Sequence, residues 1–335
     1  MEKRVLGRSG LGVGVLALGT MNWGSGWMGS AAVDEKTARS MLDLALDSGV
    51  NLVDTADIYG YGAAETMLGR ILGKRRQKVL LATKVRWEMK PGDPASGGLS
   101  PKRIKAALDA SLKRLKTDHV DIYMPHAPDP KVPLDETLAA LAVAVKAGKV
   151  RVLGCSNFSG AQWRQALAAS SAKGWPRFEF DQVEYSLVAR SADGDVLPVA
   201  GAEGVSVMAW SPLAGGYLTG KYLQAGERPK GRRQDPGRAF PPVDERRYAG
   251  VVRVLAGVAK QEAAAPSAAA LAWVLSRPGI AAAVVGASNL RQLRENLAFK
   301  PLSPKSLGFL DQASILCSRA SGSKGPAAPG TFVQL

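Results

Sequence analysis

The chain has 335 residues, of which 46% are hydrophobic and 22% are charged, and its formal net charge is +15. This apolar content is sufficient for a large core, and no run reaches the roughly 18 apolar residues of a membrane-spanning helix. The only two cysteines, Cys155 and Cys317, exclude a disulfide framework and favour a reducing compartment, the cytoplasm. Glycines interrupt the basic and then apolar N-terminus, which we therefore interpret as a strand and not as a signal peptide.

The positive charge is scattered along the chain and is not interleaved with aromatic residues. This pattern argues against a nucleic-acid partner, and we expect a small-molecule partner with no membrane contact. The densest basic stretch is KYLQAGERPKGRRQDPGRAF at 221–240. It has two interpretations, a solvated loop or a loop that covers an anionic small ligand. The oligomeric state is left open by the sequence.

Short β-rich runs alternate with helical patterns along the whole chain. The predicted strands lie at 13–19, 50–54, 79–83, 120–124, 150–154, 178–183, 205–210 and 281–285. The predicted helices lie at 34–48, 63–73, 101–116, 135–147, 160–172, 193–203, 244–263, 266–276 and 290–298. Asp34 and Ser100 are placed as helix N-caps. Short apolar strands that are each followed by a helix favour parallel pairing with both sheet faces covered.

Eight strands are the number that closes a (β/α)₈ barrel. A doubly wound sheet is the alternative, but it usually carries a G-x-G-x-x-G turn after its first strand. The glycines of GVGVLALG at 12–19 do not have that spacing. We therefore predict an α/β fold, a parallel eight-stranded TIM barrel. It is expected to form a single domain over residues 1–318, followed by a flexible C-terminal tail over residues 319–335.

Titratable residues stand where three consecutive predicted strands stop. Asp54, Lys84 and His126 lie at these strand ends, and Tyr59 follows the first of them. Each residue alone has an ordinary structural interpretation, such as a solvated lysine or a core histidine. Because barrel chemistry takes place at the C-terminal ends of the strands, the four groups together favour a catalytic site.

The chemistry of these four groups suits proton transfer to a carbonyl oxygen. A buried Asp54 needs a cation, which Lys84 is expected to supply. The same ammonium beside Tyr59 is expected to lower the pKa of the phenol from about 10 toward neutrality. Such a phenol can act as a general acid and base, with His126 donating to the same oxygen. With only two histidines in the chain, no zinc site is expected. The four groups contain no electron donor, so a hydride must come from a cofactor.

At these residues the sequence resembles the aldo-keto reductases, over roughly residues 3 to 300. DTADIYGYGAAETMLGRIL at 54–72 is similar to the family signature D-T-A-x-x-Y-G-x-G-x-x-E. Four later segments resemble the family's cofactor segments in order: GCSNF, DQVEYS, WSPLAGGYLTGKY and VVGASNLRQLRENL. The resemblance implies reduction of an aldehyde or ketone to the alcohol by hydride transfer from NADPH. It also implies a catalytic tetrad of Asp54, Tyr59, Lys84 and His126, with Tyr59 as the proton donor.

The resemblance further implies an extended NADPH bound without a Rossmann domain. Residues expected at the nicotinamide carboxamide are Ser156, Asn157 and Gln182. Trp210 would stack on the ring, where many relatives carry tyrosine. Residues expected at the pyrophosphate are Ser211, Leu213, Gly215 and Gly216. Residues expected around the adenosine are Gly286, Ser288, Gln292, Glu295 and Asn296.

Several positions depart from the family pattern. Ser288 stands where many NADPH-specific relatives carry a basic residue, so NADH is the alternative cofactor unless Arg291 or Arg294 replaces that contact. Pro125 directly before His126 is unusual in this motif. Ala127 replaces a bulky aromatic residue and would widen the substrate mouth. Aromatic residues expected either as a substrate wall or as ordinary packing residues are Trp23, Trp27, Tyr61 and Trp87.

Two other functions remain open at the level of sequence. The same residues can catalyse the reverse reaction, so an NAD(P)-dependent alcohol or aldose dehydrogenase is one alternative. Some aldo-keto reductase family members act as cofactor-binding regulatory subunits of membrane channels, which is the other. An intact tetrad argues against that second role as the only function.

Overall fold

The computed structural model describes residues 1–26, 30–223 and 239–319, with side chains described up to residue 317. Trp27 lies outside the described residues. The same is true of residues 224–238, most of the basic stretch, and of residues 320–335, all but the first residue of the predicted tail.

Eight parallel strands close into a barrel, which confirms the predicted fold class. The barrel strands are β3 (Leu16–Gly19), β4 (Leu52–Asp54), β5 (Leu80–Val85), β6 (Val120–Pro125), β7 (Val150–Ser156), β8 (Phe178–Glu184), β9 (Ser206–Trp210) and β10 (Ile280–Val285). Each strand pairs with its neighbour in sequence, and β10 closes the ring by pairing with β3. Both faces of this sheet are therefore enclosed, one by the barrel interior and one by the helices.

Nine of the ten described α-helices lie around the barrel at nearly the predicted positions, and the tenth, Pro304–Arg319, was not predicted. The ten described helices are α1 (Glu35–Asp47), α2 (Ala63–Leu72), α3 (Pro101–Leu115), α4 (Leu134–Lys146), α5 (Gly160–Lys173), α6 (Val196–Glu203), α7 (Glu245–Gln261), α8 (Pro266–Leu275), α9 (Leu290–Leu297) and α10 (Pro304–Arg319). The predicted N-caps are confirmed, because Asp34 accepts from Thr37 N–H and Ser100 accepts from Arg103 N–H. These bonds satisfy donors that the first helical turn leaves unpaired.

The first predicted strand, 13–19, is two separate elements in the structure. Residues Gly12–Gly14 form β2, which pairs antiparallel with β1 (Lys3–Val5), and the barrel strand begins at Leu16. Leu6 and Leu11, at the turn of this hairpin, belong to the hydrophobic cluster of the barrel interior. The hairpin therefore covers the N-terminal end of the barrel and leaves the C-terminal end for chemistry.

Strand alternation explains how the barrel interior changes from apolar to polar. Successive side chains of a strand point to opposite faces, so a residue two positions after an interior residue also points inward. Five predicted site residues follow buried interior residues at this spacing: Asp54 after Leu52, Lys84 after Ala82, His126 after Met124, Gln182 after Phe180 and Trp210 after Met208. The register of the barrel thus gathers these side chains at one end.

Within the described part of the chain, no helix is both long and apolar enough to cross a lipid bilayer.

A close backbone crossing holds α2 against α3. A Cβ atom on Gly69 would meet the carbonyl oxygen of Arg114 and would lie 2.8 Å from the carbonyl carbon of Leu115. By contrast, Gly257 on α7 is exposed, and nothing lies within 4 Å of its Cβ position.

We predict that Gly69→Ala lowers the free energy of unfolding by about 1–3 kcal/mol, because the two helices must separate. The control Gly257→Ala is expected to be neutral or to stabilise by about 0.5–1 kcal/mol, since alanine restricts the unfolded chain. Urea unfolding of both variants measures this difference. If the two variants were equally stable, the close backbone contact between α2 and α3 at Gly69 would be contradicted.

Candidate active site

A buried ion pair lies at the C-terminal end of the barrel. The Lys84 Nζ donates to Asp54 Oδ1 at 2.6 Å and to the Thr55 carbonyl oxygen at 2.8 Å. Lys84 is fully buried, and Asp54 is 2% exposed. Burial acts to lower the pKa of Lys84, but Asp54 and Tyr59 outweigh it, so the pKa of Lys84 is raised. Lys84 is therefore a cation at neutral pH.

Tyr59 reaches this ion pair from the turn between β4 and α2. Its phenol oxygen lies 3.4 Å from Lys84 Nζ, which is also 5.0 Å from the centroid of the ring. The chain then turns sharply, with a positive φ at Gly60, Tyr61 and Gly62. Gly62 is needed here, because its φ is 91° and a Cβ would lie 2.8 Å from the Arg114 side chain. The turn presents a half-buried phenol to the end of the barrel.

His126 completes the predicted tetrad. Its ring lies edge-on to the ring of Tyr59, with the centroids 5.7 Å apart. Burial, and then the nearby charge of Lys84, hold the pKa of His126 well below its usual value of 6.5. The imidazole is therefore neutral near pH 7 and carries a single ring N–H that can donate. Among the described residues, Nδ1 has no hydrogen-bond partner.

Gln182 contacts the ion pair directly, which the sequence did not predict. Its Nε2 donates to Asp54 Oδ2 at 2.9 Å. A carboxylate oxygen only accepts, so the amide nitrogen must be the atom that faces Asp54. Both oxygens of Asp54 are thus engaged, one by Lys84 and one by Gln182. The sequence did contain a signal for this contact, because the second carboxylate oxygen of a buried Asp54 requires a hydrogen-bond donor of its own.

Asn157 joins the histidine strand end to the predicted stacking residue. Its Nδ2 donates to the His126 carbonyl oxygen at 2.9 Å and to Ser156 Oγ at 3.0 Å. Its Oδ1 accepts from Trp210 Nε1 at 3.0 Å. Since an indole only donates and a backbone carbonyl only accepts, these partners fix the orientation of the amide. A tyrosine at position 210 would lack this N–H.

Phe240 is a further residue at the site that the sequence analysis assigned only to the basic stretch. Its ring is stacked on Trp210, with the planes 7° apart and the centroids 5.8 Å apart. The Phe240 carbonyl oxygen lies 2.5 Å from the place of a Cβ on Gly215. Glycine is therefore required at 215. No local pattern identifies Phe240, because the contact depends on where the chain returns after residue 238.

The segment after β9 has an unusual backbone. Ser211, Ala214, Gly215 and Gly216 all have positive φ values, between 49° and 89°. Nothing lies within 4 Å of a Cβ position on Gly216 or Gly286. Both glycines therefore border open space at this end of the barrel, and Leu213 lies within the turn between them and Trp210.

The start of α9 carries the predicted adenosine residues. Asn289 caps the helix by accepting from Gln292 N–H, and the Gln292 side chain accepts from Ser288 N–H at 2.9 Å. Asn296 is buried in the following turn. Glu295 is 3.8 Å from Arg291, whose side chain is 80% exposed. Arg294 is also exposed. The first turn of α9 thus carries one exposed arginine, Arg291, and a second, Arg294, follows in the last turn.

The predicted substrate residues have different positions. Trp87 is brought to the site, with its ring edge-on to His126 at a centroid distance of 6.3 Å. Ala127 is 3% exposed, and Tyr61 is 48% exposed. Trp23 is fully buried in the hydrophobic core outside the barrel interior, where it contacts no open surface.

The described residues contain no group of three or more histidine, cysteine or acidic side chains that could hold a metal ion.

Comparison with known proteins gives a consistent family. The model of the aldo/keto reductase family matches residues 15–315. An uncharacterized oxidoreductase, YrpG, of Bacillus subtilis is 39% identical over 311 residues, which cover 89% of this chain and 90% of that protein. A putative voltage-gated potassium channel subunit beta of Schizosaccharomyces pombe is 34% identical, covering 92% and 89% of the two chains. Protein tas of Escherichia coli is 32% identical, covering 89% and 92%.

The family model covers most of the chain, and these relatives match it along nearly their whole length. The closed barrel is the fold that the alternation of strands and helices predicted. The chain therefore belongs to the aldo/keto reductase family of oxidoreductases.

Proposed function

We propose that the protein reduces an aldehyde or ketone to the alcohol with NADPH, and that Tyr59 donates the proton. One observation carries this proposal: the Lys84 ammonium lies 2.6 Å from Asp54 and 3.4 Å from the Tyr59 phenol oxygen. A buried cation at that distance stabilises the phenolate that forms when the proton leaves. The phenol then becomes a stronger acid toward a carbonyl oxygen.

His126 is proposed to donate a hydrogen bond to the same carbonyl oxygen. Its low pKa keeps the ring neutral, so it orients and polarises the carbonyl while Tyr59 supplies the proton. Trp87, edge-on to His126, would pack against the substrate on that side. Fixed donors aimed at an oxygen that gains charge stabilise the transition state.

The residues around the site fit an extended nicotinamide dinucleotide. Such a cofactor supplies a hydride to the carbonyl carbon, which none of the four tetrad side chains can do. Asn157 and Gln182 would bind the carboxamide, beside Trp210 as a flat surface for the ring. Open space at Gly216 and Gly286 lets a pyrophosphate approach the backbone, and the α9 N-terminus favours the anionic end.

We propose NADPH over NADH because α9 presents cations where the outer phosphate would lie. Arg291 and Arg294 are exposed on this helix, and Ser288 precedes it. We propose a small-molecule carbonyl as substrate and the cytoplasm as location, since Cys155 and Cys317 are free thiols and thiols stay reduced there. The same residues serve alcohol oxidation, and relative cofactor affinity would indicate the direction.

A second candidate function is that of a subunit of an ion channel. It is favoured by the relatives from Schizosaccharomyces pombe and Arabidopsis thaliana, which are named as putative or probable voltage-gated potassium channel subunits beta and are 34% and 33% identical. The tetrad places the Tyr59 phenol beside Lys84 as a proton donor. This geometry supports catalysis for both candidate functions.

The first prediction concerns Tyr59. We expect Tyr59→Phe to lower turnover of aldehydes by about 10²–10⁴-fold, because the proton donor is lost. The dissociation constant of NADPH should stay within about twofold of wild type, since the phenol contributes no proposed cofactor contact. Turnover is followed by nicotinamide absorbance and binding by fluorescence. Loss of NADPH binding, or full turnover, would contradict the role of Tyr59.

The second prediction separates the contribution of Lys84 to catalysis from its contribution to stability. Lys84→Met should lower turnover by about 10²-fold or more and destabilise the fold by about 3–5 kcal/mol, because Asp54 stays buried without a cation. In the double variant Asp54→Asn/Lys84→Met, stability should largely recover while turnover stays low. Urea unfolding and the same assay measure both. Recovered turnover in the double variant would show that Lys84 acts only on stability.

The third prediction concerns cofactor preference. NADPH should bind with a lower dissociation constant than NADH, and the double variant Arg291→Ala/Arg294→Ala should lose about 1 kcal/mol or more of NADPH binding energy without weakening NADH. Arg253→Ala on the exposed side of α7 is the control. Tighter binding of NADH by wild type would favour the dehydrogenase alternative.

A further inference from the structure

A second buried polar cluster lies behind the turn that carries Tyr59. We define the rear cluster as Asp57, Glu65, Arg103, Arg114 and Tyr123. The two carboxylate residues are 1% and 0% exposed, respectively, and Tyr123 is fully buried. Because the tetrad chemistry uses none of these groups, their burial calls for another explanation.

The two carboxylates of the rear cluster are not equally satisfied. Glu65 accepts from Arg114 Nε at 2.7 Å and from Thr83 Oγ1 at 2.6 Å, so both of its oxygens are bonded. Asp57 accepts from Arg103 Nη2, at 2.9 Å, through Oδ2. Among the described residues, Asp57 Oδ1, Arg103 Nε and Tyr123 Oη have no partner. Asp57 is therefore the carboxylate whose charge is less well stabilised.

The groups that face Asp57 make it titrate near neutral pH. Burial, and then the charge of Glu65 on α2, raise the pKa of Asp57 to about 7, while Arg103 and Arg114 on α3 oppose this rise. Tyr123 on β6 is uncharged here, because burial raises the pKa of its phenol far above its usual value. Thr83 on β5 is not ionisable. Asp57 is thus the one member of the rear cluster with a pKa raised into the neutral range.

Asp57 ties the Tyr59 turn to two rigid elements. Its backbone N–H donates to the Lys84 carbonyl oxygen on β5 at 3.2 Å, and its carboxylate binds Arg103 on α3. Tyr59 follows two residues later, and its own backbone N–H donates back to the Ala56 carbonyl oxygen at 3.2 Å. The position of the phenol beside Lys84 therefore depends on where Asp57 is held.

We propose that Asp57 is a positioning residue for Tyr59, and that its ionised carboxylate, held by Arg103, keeps the phenol beside Lys84. Protonation of Asp57 removes the charge of the acceptor, so the ion pair with Arg103 becomes a weaker hydrogen bond from the guanidinium to a neutral carboxyl group. The turn over residues 55–59 is then held less firmly, and turnover falls. The catalytic part of this inference rests on the proposed reductase function.

Lys84 and His126 give no competing loss of activity on the acid side near neutrality. The pKa of Lys84 is raised and that of His126 is lowered well below 6.5. Neither group changes charge between about pH 6 and pH 8. A fall in kcat below about pH 7 is therefore the signature of Asp57.

Asp57→Asn tests this inference, because asparagine resembles the protonated side chain. We expect its kcat at pH 8 to fall about tenfold or more, as a small misplacement of a reacting group can do. Its kcat should not fall further toward pH 6, whereas that of wild type should. NADPH affinity should stay within about twofold. The inference would be overturned if Asp57→Asn had the same kcat as wild type at pH 8 and the same fall in kcat toward pH 6.

Asp121→Asn is the matched control at the opposite end of the barrel. Asp121 is 2% exposed and is bonded by Arg151 at 2.6 Å and by the Leu81 N–H at 2.9 Å. It is a comparably buried carboxylate and the second residue of β6, far from the tetrad end. Its replacement should leave the pH profile of kcat unchanged. The same change in both variants would show a general effect of destabilisation and would overturn the inference.

Thermal stability provides a readout that is independent of activity. A carboxyl group whose pKa is raised in the folded state stabilises most below its unfolded pKa of about 3.9 and progressively less as pH rises to about 7. The Tm of wild type should therefore fall relative to Asp57→Asn between pH 5 and pH 7, and then level off. A difference in Tm between wild type and Asp57→Asn that does not change with pH would overturn the inference. If the wild-type protein shows no turnover, only the proposed function is overturned.

Discussion

The buried pair of Lys84 and Asp54 is the interaction on which the rest of the site depends. A fully buried ammonium is tolerated only with an opposite charge and further hydrogen bonds. Asp54, the Thr55 carbonyl oxygen and the Tyr59 phenol oxygen surround this ammonium, and Gln182 holds the second oxygen of Asp54. The pair holds a positive charge at the C-terminal end of the barrel, next to the Tyr59 phenol.

The barrel creates this position through strand register. At the C-terminal ends of the strands the interior residues change from apolar to polar, so polar side chains from neighbouring strands meet above an apolar interior. The β1–β2 hairpin covers the other end with Leu6 and Leu11. Behind the strands, the ion pair of Asp57 and Arg103 forms a second polar layer next to the turn that carries Tyr59. The two polar layers share the short segment from Asp54 to Tyr59.

Local patterns were sufficient to predict the eight strands, the helices between them and the tetrad positions. Alternation, caps and the signature around Asp54 are all short-range features of the sequence. The hairpin was missed because its strands have three residues each, and two of the three residues of β2 are glycines. The contacts of Gln182 with Asp54 and of Phe240 with Trp210 join segments far apart in the chain. No spacing rule predicts such pairs, since the first follows from the closure of the barrel and the second from a segment outside the barrel strands.

The central claim is that the Lys84 ammonium makes the Tyr59 phenol a usable acid. The most direct measurement is an NMR titration of protein with ¹³C-labelled tyrosine, with Tyr59→Phe to assign the resonance. We predict that the Tyr59 phenol loses its proton at a clearly lower pH than the other tyrosines, and that this difference vanishes when Lys84 is replaced by methionine. A Tyr59 resonance that titrates with the other tyrosines, with or without Lys84, would contradict the claim.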